Sequence, residues 1–140
     1  ISREIPIVFP IHPRTKKMVE QFGFGAHFSM TEKPQGLWMT EPLGYLHLLH
    51  LNMNAKMVIT DSGGLQEETT VLGVPCITLR NNTERPITCE VGTNIVVGNS
   101  QHNILRHAFD VLQGDVPRGT VPEKWDGKAG DRIVNILAHL

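Results

Sequence analysis

Met57-Val58-Ile59-Thr60-Asp61-Ser62-Gly63-Gly64-Leu65-Gln66-Glu67-Glu68-Thr69-Thr70 reads as strand, turn and helix. The opening run is apolar and β-branched, as a buried strand is; Asp61-Ser62-Gly63-Gly64 breaks it, and a helix-like pattern follows. Asp61 or Ser62 is placed to cap the helix, because a short side-chain oxygen can accept from one of its unpaired N–H groups. The two glycines put no side chain over the helix start. The N–H groups of Gly63, Gly64 and Leu65 are therefore open to an anion, which the helix dipole also favours. Glu68 stands four residues after Gly64, on the same helix face one turn deeper. A carboxylate there repels phosphate and is better suited to accept from neutral hydroxyls, as a ribose diol offers. Phosphate at the tip and sugar behind it suggest a nucleotide, although Ser-Gly-Gly at such a turn is also ordinary turn chemistry. The stretch is neither a Walker loop, for want of Gly-Lys-Ser/Thr, nor a full Gly-x-Gly-x-x-Gly dinucleotide fingerprint.

Composition narrows the alternatives. A chain of 140 residues suits one domain with a buried core. Its hydrophobic content of 40% and charged content of 19% are those of a soluble globular protein. A formal charge of −1 gives no broad basic field, which argues against polymeric nucleic acid as a partner. No apolar run approaches the roughly 20 residues needed to span a bilayer, and no signal peptide opens the chain, so no membrane partner is expected. Cys76, in an expected strand, and Cys89, in an expected loop, do not make a disulfide framework; both are expected as free thiols in a reducing, cytoplasmic compartment. The chain begins at Ile1 and runs almost at once into a strand, as expected of a piece of a larger protein.

Short apolar runs alternate with helical patterns along the rest of the chain. Ile5-Pro6-Ile7-Val8-Phe9-Pro10 reads as a strand, followed through Ile11-His12-Pro13 by a helix over 14–22 that Pro13 can start and Gly23 and Gly25 end. His12 falls at a strand end, where either a site residue or a loop cap is expected. Residues 23–34 read as loop with room for a short helix. Gly36-Leu37-Trp38-Met39-Thr40 is the second strand, and Tyr45, Leu48, Leu49 and Met53 set the spacing of a helix over 45–53. His47 and His50 lie three apart on that helix, but no carboxylate or cysteine nearby completes a ligand set, so no metal and no cofactor is expected.

Gly73-Val74-Pro75 ends the next helix, and Cys76-Ile77-Thr78-Leu79 is the fourth strand, leading into the polar loop Arg80-Asn81-Asn82-Thr83-Glu84-Arg85-Pro86. A guanidinium at Arg85, beside a phosphate-binding helix, could pair bidentately with a diphosphate; the alternative is a solvated loop arginine. Thr93-Asn94-Ile95-Val96-Val97-Gly98 is the fifth strand. Asn99-Ser100 caps a helix over 101–113 with Ile104, Leu105, Ala108, Phe109 and Leu112 on one face, and His102 and His107 read as surface. Residues 114–124 form a Pro/Gly-rich connection. A last helix over 128–138, carrying Ile133, Ile136 and Leu137, is expected to pack back on the domain. The alternation predicts an α/β, Rossmann-like parallel sheet with helices on both faces. His12, Glu41 to Tyr45, Asp61 to Gly64 and Arg80 to Arg85 all follow strands and are expected on one rim.

The series His12-Pro13-Arg14, Glu41-Pro42-Leu43-Gly44-Tyr45, Thr60-Asp61-Ser62-Gly63-Gly64-Leu65-Gln66-Glu67-Glu68, Leu79-Arg80, Thr83-Glu84-Arg85-Pro86, Gly92-Thr93-Asn94 and Val97-Gly98 resembles the C-terminal domain of the non-hydrolysing UDP-N-acetylglucosamine 2-epimerases. The closing Glu123-Lys124-Trp125-Asp126-Gly127-Lys128-Ala129-Gly130-Asp131-Arg132-Ile133-Val134 resembles the end of that family. The resemblance implies that residues 1–140 are the C-terminal, UDP-binding half of a glycosyltransferase-B-like, homodimeric enzyme. That enzyme interconverts UDP-GlcNAc and UDP-ManNAc through elimination of UDP to a 2-acetamidoglucal and its re-addition. It further implies that Ser62, Gly63 and Gly64 bind the diphosphate, Glu68 the ribose hydroxyls and Arg85 the phosphates. Leu43 would meet the uracil through its backbone, and Leu48 stands where relatives often carry an aromatic, so aliphatic contact replaces ring stacking.

The family's first strand of this domain, with a His-Arg-Arg-Glu-Asn motif, and its N-terminal domain with the acidic catalytic residues do not occur in these 140 residues. No catalytic residue is therefore assigned here, and the 140 residues alone are expected to bind UDP weakly and not to epimerise. The donor-binding half of a glycosyltransferase of similar architecture, or a non-catalytic domain, are the alternatives.

Overall fold

Each apolar run expected to be a strand is one, and among the described residues every strand pairs in parallel. The computed structural model describes residues 1–29, 36–115 and 119–140. The chain divides into two compact units, Ile1–Leu51 and Asn52–Leu140. The expected loop over 23–34 lies outside the described residues from 30 onward, as do 116–118 of the expected connection over 114–124.

In the first unit, β1 (Ile7–Pro10) pairs with β2 (Leu37–Thr40), Ile7 opposite Leu37 through Pro10 opposite Thr40. Between them runs α1 (Pro13–Gln21). His12 is its N-cap: Nδ1 accepts the Arg14 N–H at 3.2 Å, and Pro13 stands where no N–H is needed. Of the two readings of His12, the structure supports the cap. Gly23 ends this segment in the left-handed region at φ 72°, and the room for a short helix is taken by a 3-10 turn, Phe24–His27. Ile11 and Met39 are buried, and the rings of Phe9 and Phe28 stack at 6.1 Å. Lys16 Nζ holds Glu41 Oε1 at 2.8 Å, so the carboxylate after β2 is already paired. Helix α2 (Tyr45–Met53) follows.

In the second unit β3 (Val58–Thr60), β4 (Cys76–Thr78) and β5 (Asn94–Val96) lie in that order with matched register: Val58, Cys76 and Asn94 align, as do Thr60, Thr78 and Val96. Parallel strands in register end together, so Asp61, Leu79 with Arg80, and Val97 leave the sheet along one edge. Helix α3 (Gly63–Leu72) packs on this sheet. Its buried Thr69 and Thr70 return their hydroxyls to the carbonyls of Leu65 and Gln66, which satisfies them without a partner element. Gly73, at φ 69°, stops α3 as expected. Gly92 is required by packing: a Cβ there would lie 2.6 Å from Thr70 Cγ2 and from the Thr88 carbonyl.

Four expectations need correction. Cys89 lies in a short helix, α4 (Ile87–Glu90), not in a loop, because the Thr88 hydroxyl turns back to the Arg85 carbonyl at 2.7 Å and helps start a turn. On α5 (Gln101–Gln113), capped by Ser100 Oγ, the buried positions are Ala108 and Val111, while Leu105 and Phe109 are over a third exposed. His107 is half-buried, with Nδ1 3.6 Å from Asp110. Finally α6 (Ala129–Leu137) has no buried residue; Ile133, Ile136 and Leu137 are 57%, 63% and 64% exposed. What holds the start of α6 is Asp126, whose carboxylate accepts the Lys128 N–H at 3.0 Å and both Nη groups of Arg132. Among the described residues no helix is long and apolar enough to cross a membrane.

Candidate functional site

Ser62 occupies the N-cap position of α3, yet its side chain makes no capping bond. Its backbone N–H is taken by Thr60 Oγ1 at 3.0 Å, which pins the turn, and its hydroxyl has no partner among the described residues. The first α3 bond is Gln66 N–H to the Ser62 carbonyl, so the N–H groups of Gly63, Gly64 and Leu65 precede the intrahelical ladder. A Cβ at Gly63 would meet nothing within 4 Å, and one at Gly64 only Ser62 Oγ at 3.9 Å. No neighbour in the fold demands glycine at either position. What glycine preserves is the open space over the tip.

Glu68, one turn in, is half-buried and makes no hydrogen bond or ion pair among the described residues. Its neighbour Glu67 is committed: Oε1 lies 2.7 Å from Arg85 Nε. Arg85 Nη1 donates to the Glu84 carbonyl at 3.2 Å, while Nη2 has no acceptor among the described residues. The loop arginine is thus fastened to the helix that carries the open tip, and part of its fork stays available.

Arg80 is differently employed. It makes a two-pronged pair with Glu84, at 2.9 and 2.7 Å. Those bonds hold the Glu84 carboxyl below its ordinary range and raise Arg80, to which the Asp61 charge adds a smaller push. Arg80 therefore stiffens the loop, and the cation fastened to α3 is Arg85.

Behind the loop lies a buried polar cluster that the sequence did not reveal. Gln66, fully buried on α3, accepts from Thr83 Oγ1 at 2.5 Å and from Asn94 Nδ2 at 3.1 Å. Gln66 sits next to Glu67 and Glu68, and a glutamine on the inward face of a short amphipathic helix was the available signal. The partners, 17 and 28 residues away, were not readable.

Of the residues singled out from sequence, Ser62, Gly63, Gly64, Glu68 and Arg85 all fall in the Asn52–Leu140 unit, on or fastened to α3. Leu43, exposed before α2, and Leu48, half-buried on α2, belong to the Ile1–Leu51 unit. Chemically, the α3 tip offers three N–H donors, a hydroxyl and, one turn deeper, a carboxylate, none of them with a partner among the described residues. That combination suits an anion carrying a polyol.

Comparison with known proteins shows the family. The sequence pattern of the family described as UDP-N-acetylglucosamine 2-epimerase matches residues 1–138. The chain belongs to that family. A UDP-N-acetylglucosamine 2-epimerase of Methanocaldococcus jannaschii is 44% identical over 133 residues, covering 95% of this chain and 35% of that protein. One of Methanococcus maripaludis is 46% identical over 131 residues, covering 94% and 34%. The crystal structure of the M. jannaschii enzyme in complex with UDP-GlcNAc and UDP superposes with a TM-score of 0.79 at 44% identity, covering 96% of this chain and 36% of that one. The chain thus spans about a third of the length of the family members it matches. Its parallel α/β architecture is that of the corresponding third of these glycosyltransferase-B-like enzymes.

Proposed function

We propose that this chain is the nucleotide-binding part of an enzyme that interconverts UDP-GlcNAc and UDP-ManNAc. In this reading the N–H groups of Gly63, Gly64 and Leu65, with the Ser62 hydroxyl, hold the diphosphate, Arg85 neutralises it, and Glu68 accepts from the ribose diol. Leu43 and Leu48 are assigned to the uracil on the family resemblance alone. The observation that carries the reading is the glycine-bare tip of α3 with, one turn behind it, a carboxylate that has no partner among the described residues. Family membership supports it independently.

The diphosphate is the leaving group of the proposed reaction. A base removes the proton at C2 of the sugar, the C1–O bond breaks with its electron pair leaving on UDP, and a 2-acetamidoglucal remains. Re-addition of UDP at C1, with a proton delivered to the other face of C2, gives the epimer. The α3 tip serves by stabilising negative charge on the departing diphosphate. The acid and base are not among the residues assigned here. A cytoplasmic, homodimeric parent belongs to the same proposal.

The test uses the natural full-length protein, UDP-GlcNAc and deuterated water, with no acceptor. UDP-ManNAc bearing deuterium at C2 is expected. Sugar transfer that requires an acceptor, with no acceptor-free epimer, would overturn the proposal in favour of a glycosyltransferase.

A further inference from the structure

A ring of hydrogen bonds closes on the backbone of Arg85. Its N–H donates to Thr83 Oγ1 at 3.0 Å, and that hydroxyl donates to Gln66 Oε1 at 2.5 Å. The same Oε1 accepts from Asn94 Nδ2 at 3.1 Å, and Nδ2 donates onward to Thr88 Oγ1 at 3.0 Å. The Thr88 hydroxyl then donates to the carbonyl of Arg85 at 2.7 Å, which completes the circuit. Three elements contribute: α3 through Gln66, β5 through Asn94 and α4 through Thr88. The orientation of the Asn94 amide is fixed from behind, because its Oδ1 accepts the Thr78 hydroxyl at 2.5 Å and so turns Nδ2 toward Gln66.

Gln66 and Thr88 are fully buried and Asn94 nearly so. Carboxamides in an α/β core are costly unless bonded, and an apolar residue would fill the same space without that requirement. Gln66 does not even satisfy itself: its Nε2 is buried without a partner among the described residues. Its Oε1, by contrast, is the hub on which the Thr83 and Asn94 arms meet. The circuit fixes both backbone groups of Arg85, while Glu67 fixes its Nε, so main chain and head group are both tied to α3.

We infer that Gln66, acting through Thr83 and Asn94, is a positioning residue that holds Arg85 at the reach needed to engage the diphosphate of a bound nucleotide. The inference rests on the nucleotide-binding reading above and adds the residues that set its geometry. Positioning of a charged donor acts on the anionic part of the ligand and leaves the nucleoside part alone, which gives it a signature distinct from general destabilisation.

The experiment measures, in the natural full-length protein, dissociation constants for UDP and for uridine by calorimetry. Thr83→Val is the primary variant: it is nearly isosteric, lies in a partly exposed loop, and removes both the bond to Gln66 and the acceptor for the Arg85 N–H. UDP affinity should fall about tenfold, the loss of a bond to a charged partner, while uridine affinity stays as in the wild type. Thr83→Ser, which keeps the hydroxyl, should restore UDP affinity, and Gln66→Met should repeat the Thr83→Val pattern. Thr83→Val combined with Arg85→Ala should bind UDP no more weakly than Arg85→Ala alone. Unchanged UDP affinity in Thr83→Val, or equal losses for UDP and uridine, would overturn the inference. A wild-type protein that does not prefer UDP to uridine would instead overturn the nucleotide reading, and this inference with it.

Discussion

Arg85 Nε lies 2.7 Å from Glu67 Oε1, which ties the loop after β4 to the second turn of the helix beginning at Gly63. Both side chains are close to half exposed, so the pair adds little to stability, on the order of 0 to 1 kcal/mol. Its consequence is directional: it parks the guanidinium beside α3. Glu67→Gln, which keeps the shape but removes the charge, should leave the melting temperature nearly unchanged and weaken UDP binding roughly threefold to tenfold. Calorimetry on the two proteins checks this. Tighter binding in the variant would make Glu67 a competitor of the diphosphate instead of a guide for Arg85.

Gly63 separates folding from binding in the opposite sense. The space above it is empty and its φ is not in the left-handed region, so a methyl group costs the fold nothing, and alanine restricts the unfolded chain more than glycine does. Gly63→Ala should therefore be as stable as the parent or more stable by up to about 1 kcal/mol. The same methyl stands over the free N–H groups, so UDP affinity should drop. A stabilised variant with undiminished UDP affinity would remove the α3 tip from the site.

The contrast between these two positions shows what a linear sequence can disclose. The open tip was legible because strand, turn and helix signals are local, and Ser62, Gly63, Gly64 and Glu68 lie within seven consecutive residues. Arg85 could be singled out by type and by its place after a strand, but its bond to Glu67 depends on how α3 and the loop pack, which no spacing rule encodes. Gln66 looked like any helical residue until Thr83 and Asn94 were brought against it. Helix α4 escaped because four residues carry too little periodicity. For α6 the apolar pattern was plain, but a pattern identifies a face and not its partner, and that face is exposed here.

The two cysteines should be separable by reactivity. Cys76 is fully buried in β4, and burial pushes its thiol up from the ordinary value, which depletes the reactive thiolate; Cys89 is exposed on α4. A thiol reagent should modify Cys89 in the native state and reach Cys76 only on unfolding. Timed labelling with and without denaturant, read by mass spectrometry, checks this; rapid native labelling of both would contradict the β3-β4-β5 packing.

Asp126 sets an acid limit on the start of α6. Two bonds from Arg132, then the Lys128 N–H, hold its carboxyl down from 3.8 to about 2. Between those values the folded state binds fewer protons than the unfolded chain, so the contribution is whole above 3.8 and is lost as pH falls through about 2. Both partners are open to solvent, so the effect is local and not a global unfolding. Amide exchange in α6, corrected for intrinsic rates, should accelerate as pH drops through that window, and Asp126→Asn should remove the dependence. High salt should shrink the effect, since exposed charges are screened. An NMR titration that placed the Asp126 carboxyl at its ordinary value would mean that the Arg132 pair does not hold in solution, and that something other than this cap fixes the first turn of α6.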